Sequence, residues 1–247
     1  MSPRYLSDKI ELEHALPPGD EERFNGFGIM GLPFSSGHIL ALRRFVASSV
    51  GSGYTSVWHR NPDSEWAFYA NEAPWHSCTR YFGKQAAQAI VTPIAIKWLD
   101  DLSFGVSIEG ADLYWSVTVE ATPATRVMNM IGNMLPDSAW KNETILNMMS
   151  KVAGVALGVQ KVGLSGFVPN GQHFIANLKT IWAVKESRAS IAGVDFGEPA
   201  PLKEQANLAD FWISQKGILA FGQAYFELFN PGKHPAATTR AAQGSAA

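Results

Sequence analysis

The side chain best suited to acid/base chemistry lies in a short aromatic segment, residues 51–71, which reads GSGYTSVWHRNPDSEWAFYAN. His59 is in the first half of this segment, and histidine titrates closer to neutral pH than any other unperturbed side chain. Two interpretations of His59 are open. It is either a core histidine whose ring nitrogens are satisfied by a neighbour, or a general acid or base that projects into a cavity.

A β-hairpin is the element expected to position His59. Pro62 sets the backbone angle for a type I turn, which predicts that Asn61 pairs with Ser64. Side chains alternate between the faces of a strand, so this register puts His59 opposite Trp66 on the more apolar face and Trp58 on the other. A bulge of one residue would exchange the two faces.

Two carboxylates are candidates to act with His59. Asp210 precedes Phe211 and Trp212, and an acid beside large aromatic side chains can have a raised pKa through desolvation. A strand-end or capping aspartate is the alternative. Glu120 ends a run of polar side chains, so it is a candidate acid or base if that face lines an interior, and an ordinary surface group if it faces water.

The remaining reactive groups point to no metal and no cofactor. Cys78 is the single cysteine; a histidine and an arginine stand two residues away on either side and could lower its thiol pKa, but we prefer the interpretation of a small buried side chain. One cysteine excludes an intramolecular disulfide and a multi-cysteine zinc site. Histidines in predicted strands (His38, His59 and His173) lack a diagnostic spacing. No Gly-rich phosphate loop, nucleophile elbow or HExxH motif is present.

The second predicted hairpin has one apolar and one polar face. Residues 103–109 and 112–121 alternate strictly around a turn near Gly110. Phe104, Trp115 and the apolar residues in register with them share one face, whereas Glu120 ends the other. This alternation is typical of strands with one side in a core.

The hydrophobic period then changes from that of strands to that of helices. Residues 124–135 and 139–157 are expected to be helical, separated by a break at Pro136. These segments contain five of the seven methionines, among them Met130 and Met134. Methionine adapts to irregular partners, so the pair is either packing on a sheet or a lid over a pocket.

Further β-strands follow the helices. Asn170-Gly171 lies between two apolar runs and is a strong hairpin signal. In total about ten strands in consecutive hairpins favour a nearly closed antiparallel barrel, which removes exposed edges. We therefore predict a mainly β fold, a single domain over residues 1–230 with a helical insertion at about 123–158, and a disordered tail over residues 231–247.

Composition limits the classes of partner and location. The chain has 247 residues, a formal net charge of −2 and no basic run, which gives no footprint for nucleic acid. No apolar run reaches membrane-spanning length and the N-terminal residues show no signal-peptide core, so a cytoplasmic protein is expected. Eight Trp and fourteen Phe are suited to lining a pocket for a greasy ligand.

Three segments resemble the lipocalin-like group of carotenoid hydratases, tocopherol cyclases and related cyclisation enzymes. They are GYTSVWHRNPDSEWAFY, PNGQHF and ADFWISQKGILAFG. The larger members of that group resemble two such domains in tandem, which this chain does not. The resemblance implies a lipocalin-like barrel, a greasy cavity, and acid/base chemistry without a redox cofactor. No catalytic residue is carried over from it.

Two hypotheses about function follow. The first is a cofactor-independent enzyme of hydratase, isomerase or cyclase type, with His59, Asp210 and Glu120 as catalytic groups. Its lipophilic substrate would contact a set of large side chains: Trp58, Trp66, Trp115, Met130, Met134 and Trp212. The second is a non-catalytic carrier of a hydrophobic metabolite. At least two ionisable groups should converge in the cavity of an enzyme, whereas a carrier needs at most one polar anchor.

Overall fold

A computed structural model describes residues 1–136 and 138–234 of the chain. Asp137 and most of the predicted tail, residues 235–247, lie outside the described residues. The first element is helix α1 (Pro3–Glu13), which begins at Ser2, whose hydroxyl accepts a hydrogen bond from the Tyr5 amide. Serine at this position satisfies an amide that the helix itself leaves free.

Most of the chain forms strands. In chain order they are β1 (Glu22–Ile29), β2 (Leu32–Pro33), β3 (Ile39–Ser48), β4 (Tyr54–Arg60), β5 (Trp66–Ala70), β6 (Ala86–Val91), β7 (Ala95–Trp98), β8 (Ser103–Ile108), β9 (Leu113–Glu120), β10 (Ser165–Phe167), β11 (His173–Ile191), β12 (Val194–Asp195), β13 (Asn207–Leu208), β14 (Phe211–Trp212) and β15 (Ile218–Phe226). The helices after α1 are α2 (Thr79–Phe82), α3 (Pro123–Met134) and α4 (Glu143–Leu157). The mainly β class is therefore confirmed.

One mixed sheet of 13 strands contains most of these elements. Its main path runs β6-β5-β4-β3-β1-β15-β11-β9-β8-β7. Neighbours are antiparallel except β5 and β6, which are parallel. Short strands extend the sheet beside β3 and β11, and β13 pairs with β14 separately.

The expected closure into a barrel is wrong for the residues that the structure describes, because the sheet ends at β6 and β7 without joining them. Polar and apolar residues alternate over residues 89–98, but Pro93 lies in a break between β6 and β7. Proline has no N–H to donate to a strand ladder. This one segment thus supplies both edges of the open sheet.

The first hairpin has a register one residue away from the predicted one. Asn61 pairs with Glu65 rather than Ser64, and Ser64 takes a left-handed conformation with φ of 71°. This is the three-residue hairpin loop in which a type I turn is followed by one left-handed residue. Trp58 therefore lies opposite Phe68, and His59 lies opposite Ala67.

The other two predicted hairpins are confirmed. β8 and β9 pair around Gly110, with Phe104 and Trp115 buried, and the polar face ends at an exposed Glu120. β10 and β11 pair on either side of Asn170-Gly171. β11 then continues without a break for 19 residues.

Two large hydrophobic cores lie on opposite faces of the sheet, and a third, smaller cluster contains Ile181 and Ile218. In β4, Tyr54 and Trp58 belong to the first core, whereas Val57 belongs to the second. The helical pair packs on the side of the first core, where Trp140 and Leu146 are buried. α4 begins after Asn142, whose side chain accepts from the Ile145 amide, and so starts later than the sequence pattern predicts.

Within the described residues, no helix combines the length and the apolar character needed to cross a membrane.

Candidate ligand-binding site

An apolar cavity of about 210 Å³ lies between the helical pair and the sheet. α3 contributes Met128, α4 contributes Met149, and the sheet contributes Leu178, Ile181 and Ile218. Of the described residues that line it, none carries a formal charge. We call this space the first cavity.

Most polar groups in the wall of the first cavity are already hydrogen-bonded to protein. The Asn129 amide donates to the Ile181 carbonyl at 3.0 Å and accepts from the Ile181 amide at 2.8 Å. The hydroxyl of Ser214 donates to the carbonyl of Lys216. The indole N–H of Trp140 is buried and has no hydrogen-bond partner among the described residues. A ligand in the first cavity would thus meet a largely apolar wall.

A second cavity of about 60 Å³ adjoins the first, and Met30, Leu178 and Phe211 line both. Its walls come from β1, β3, β4, β11, β15 and the short helix α2. By the same measure, a water molecule occupies roughly 15 Å³. The second cavity therefore has room for a small polar group.

Arg43, in the middle of β3, projects into the second cavity. Only 6% of this residue is exposed. Nη1 donates to the carbonyls of Ile29 and Leu42 at 2.6 and 2.7 Å, but Nη2 is buried without a hydrogen-bond partner. The guanidinium carbon lies 4.7 Å from the ring centroid of Trp58 and 5.4 Å from that of Phe211.

The charge of Arg43 has no carboxylate partner in the part of the chain that the structure describes. Burial lowers the pKa of Arg43 to about 10, with Cys78 and Tyr54 acting in the opposite direction. The side chain therefore stays protonated at neutral pH. Transfer of a charge into an apolar interior is unfavourable unless the charge is paired.

Cys78 and Tyr54 lie beside Arg43 in the second cavity. The Trp58 indole donates to the Cys78 sulfur at 3.1 Å, and the Ser56 hydroxyl lies 2.7 Å from the same sulfur. Burial, and then the neighbouring Cys78 and Tyr81, raise the pKa of Tyr54 well above its usual value. Cys78 is buried, as its preferred interpretation predicted.

A buried ionic network holds α2, and with it Cys78, against the sheet. Glu22 accepts from Arg80 at 2.6 Å and from the Tyr81 hydroxyl at 2.6 Å. The side chain of Gln172 donates to the same carboxylate at 3.1 Å. Burial favours the neutral acid, but the hydrogen bonds from Arg80, Tyr81 and Gln172 outweigh it and lower the pKa of Glu22.

His59 lies outside both cavities in the described structure. Its Nε2 is 2.8 Å from Nδ1 of His38, and both rings are stacked near Phe196. Burial and then the neighbouring His38 lower the pKa of His59 to about 4. This is the environment of a core histidine satisfied by a neighbour.

Asp210 and Glu120 are likewise not among the described residues that line either cavity. A carboxylate oxygen of Asp210 accepts from the Phe167 amide at 2.8 Å, which is the strand-end role considered for it. Glu120 is exposed at the end of β9, and pairs with Ala183 of β11. The structure therefore does not bring the three predicted catalytic groups together.

The predicted substrate-binding side chains are dispersed. Trp58 lines the second cavity and Trp212 the first, whereas Trp66 is buried in the first core without lining either. Trp115 is buried in the second core, where its indole donates to Ser187 at 2.8 Å. Two methionines, Met130 and Met134, are 58% and 78% exposed on the outer side of α3.

No cluster of three or more potential metal ligands is present among the described residues. His38 and His59 form a pair, but His173 lies elsewhere, 3.2 Å from Glu143.

Sequence reasoning missed Arg43, although a signal for it is present. Arg43 and Arg44 are adjacent in an apolar strand, so their side chains must point to opposite faces. Arg44 pairs with Glu11 of α1 at 2.6 Å. Arg44 therefore lies on the face covered by α1, and Arg43 must lie on the other face, which is buried.

No family model and no curated protein matches the chain. Among solved structures, the chain is similar to acetoacetate decarboxylase from Legionella pneumophila subsp. pneumophila str. Philadelphia 1, with a TM-score of 0.37 and 12% identity, over 86% of each chain. We take no residue and no activity from this likeness. The resemblance to the lipocalin-like group stays a prediction.

Proposed function

We propose that the protein binds a lipophilic small molecule in the first cavity and acts as a non-catalytic carrier of that molecule. The observation that carries the proposal is the apolar wall of this cavity, of about 210 Å³, between the helical pair and the sheet. His59, Asp210 and Glu120 lie outside it. An apolar cavity with few polar groups is typical of a site for a lipophilic ligand.

The physical driving force is burial of apolar ligand surface. Each methylene group removed from water contributes about 0.8 kcal/mol, against which the loss of ligand freedom must be set. Met128, Met148 and Met149 line the cavity on the helical side. Their unbranched side chains adjust to ligands of different shape.

Filling the first cavity tests the proposal. Ala153 of α4 lines the cavity, whereas Ala156 of the same helix is exposed. We expect the Ala153→Trp variant to bind the neutral fluorescent probe N-phenylnaphthylamine at least ~10-fold more weakly than the wild type, because the larger side chain would occupy space that the probe needs; a tenfold loss corresponds to ~1.4 kcal/mol. Ala156→Trp, the matched control, should bind as the wild type does.

Circular dichroism of both variants checks that α4 is retained. Absence of probe binding to the wild-type protein, or equal binding by the two folded variants, would contradict the proposal. Extraction of protein purified from cells, followed by mass spectrometry, would identify a molecule that it carries.

The second candidate is an enzyme of hydratase, isomerase or cyclase type. The observation that favours it is the grouping of Arg43, Tyr54 and Cys78 around one small cavity, since at least two ionisable groups are needed near a substrate. A Tyr54→Phe variant that retains ligand affinity and loses turnover would support the enzyme. His59→Ala should leave both unchanged if His59 acts only in packing.

A further inference from the structure

We infer that the second cavity is the binding site for the carboxylate of a lipophilic acid, with Arg43 as its anchor and the hydrocarbon tail in the first cavity. This inference rests on the proposed function, because it extends the site for that ligand from the first cavity into the adjoining second cavity. It gives a binding role to Arg43, whose Nη2 has no hydrogen-bond partner among the described residues.

Arg43 has hydrogen-bond donors that the described residues do not use. A guanidinium has five N–H donors and no acceptor. The Nη1 group is used by the carbonyls of Ile29 and Leu42, but Nη2, with two donors, is buried without a partner. Buried polar groups in proteins are nearly always paired, so a group from outside the chain is expected here.

The described residues that line the second cavity give it a positive charge. Of the described residues that line the second cavity, Arg43 alone carries a formal charge. The titratable neighbours are Tyr54, Tyr81 and Cys78, and burial raises the pKa values of both tyrosines well above their usual range, so they stay neutral. The hydroxyl of Tyr81 is already committed to Glu22. The cavity therefore favours an anion.

The size of the second cavity limits the shape of an anion that it can hold. Trp58 and Phe211 lie against the guanidinium, with ring centroids 4.7 and 5.4 Å from its central carbon, so aromatic rings surround the charged group. A volume of about 60 Å³ suits a planar carboxylate, which matches the geometry of a guanidinium.

The two cavities meet at a shared apolar wall. Met30, Leu178 and Phe211 line both, so a chain attached to the carboxylate meets only apolar side chains on its way to the first cavity. Met30 is an unbranched side chain that can change rotamer to widen this junction. A ligand with one acidic end and one apolar end fits both spaces together.

The test compares decanoate with decanol, which has the same chain and no charge. By isothermal titration calorimetry at about neutral pH, we expect the wild-type protein to bind decanoate at least 10-fold more tightly than decanol. In Arg43→Met, decanoate should lose at least 10-fold in affinity and decanol should be unchanged. Arg44→Met is the matched control, because Arg44 is adjacent in the strand but pairs with Glu11 outside the cavities.

The outcomes separate this inference from the proposed function. Equal binding of decanoate and decanol by the wild type would overturn the role of Arg43 and leave the apolar site intact. Binding of neither ligand, nor of the neutral probe, would count against the proposed function itself. If Arg43→Met does not fold, decanoate and its methyl ester are compared on the wild-type protein, where equal affinity again overturns the inference.

Discussion

Arg43 and Glu22 are both buried charged side chains, but their surroundings differ. Glu22 is paired with Arg80 and accepts further hydrogen bonds from Tyr81 and Gln172. Among the described residues, the charge of Arg43 is met by two backbone carbonyls and two aromatic rings. The first arrangement completes a structural network, whereas the second leaves a donor for a ligand. Residue type and burial alone do not distinguish the two cases; the partners do.

At the same scale, the His38–His59 pair should make stability depend on pH. Burial and His38 lower the pKa of His59 to about 4, whereas an unfolded histidine titrates at about 6.5. The unfolded chain therefore binds more protons between these two values. We expect the free energy of unfolding to hold its full value above about pH 6.5 and to fall by about 3 kcal/mol as the pH drops toward 4.

Urea denaturation at several pH values measures this dependence. The His59→Gln variant should show a smaller fall in unfolding free energy between about pH 7 and pH 5. His14→Asn is the control, because His14 is an exposed residue at the end of α1. A pH dependence that is identical in wild type and His59→Gln would refute the assignment.

At the scale of elements, the close approach of three strands shapes the second cavity. Gly26 of β1 pairs with Gly222 of β15, and both line the cavity. A Cβ at Gly222 would lie 1.9 Å from the Asn177 carbonyl oxygen of β11. Bulges interrupt the ladders here, between Asn25 and Gly26 and again after Leu178. A bulge bends its strand and increases the local twist, so the sheet curls at this point.

A pair of glycine substitutions tests this account. Gly222→Ala should lower the free energy of unfolding by about 3 kcal/mol, because the carbonyl that it meets belongs to the backbone of a central strand. Gly105→Ala in β8 is the control, since a Cβ there finds its nearest atom 4.0 Å away. It should change stability by less than about 1 kcal/mol. Chemical denaturation of both variants decides, and equal losses would contradict the account.

At the scale of the whole molecule, β11 connects the two cores. Phe174 near its start is buried in the first core, and Trp182 and Ala189 further along are buried in the second. β15 does the same through Phe226 and Phe221. Neither core can be dismantled without losing strands that the other requires. This supports the proposal that residues 1–230 form a single domain.

We therefore expect one cooperative unfolding transition. Tryptophan residues lie in both cores (Trp58 and Trp66 in the first, Trp115 and Trp182 in the second). Unfolding in urea followed by tryptophan fluorescence and by far-ultraviolet circular dichroism should give coincident midpoints. Midpoints that differ between the two probes would instead indicate that the helical pair or one core unfolds separately.

Local patterns in the sequence were sufficient for several elements. The strict alternation of β8 and β9 predicted which face is buried, because side-chain period and burial are both properties of one hairpin. The Asn170-Gly171 turn and the helical pair were also predicted correctly, because each depends on residues close together in the sequence. Where a single residue changes the local geometry, the pattern failed: Ser64 in a left-handed conformation moved the first hairpin by one residue.

What the sequence by itself determined is thus the mainly β class, the buried and exposed faces of the β8–β9 hairpin, and the helical pair. Only the tertiary structure decided that residues 89–98 supply both edges of an open sheet, that β11 is one strand, and that His59, Asp210 and Glu120 do not line the cavities. It also decided that Arg43, rather than Arg44, points inward without a partner. These outcomes depend on which distant strands pair and on which charges find a counterion, and neither is encoded in the spacing of neighbouring residues.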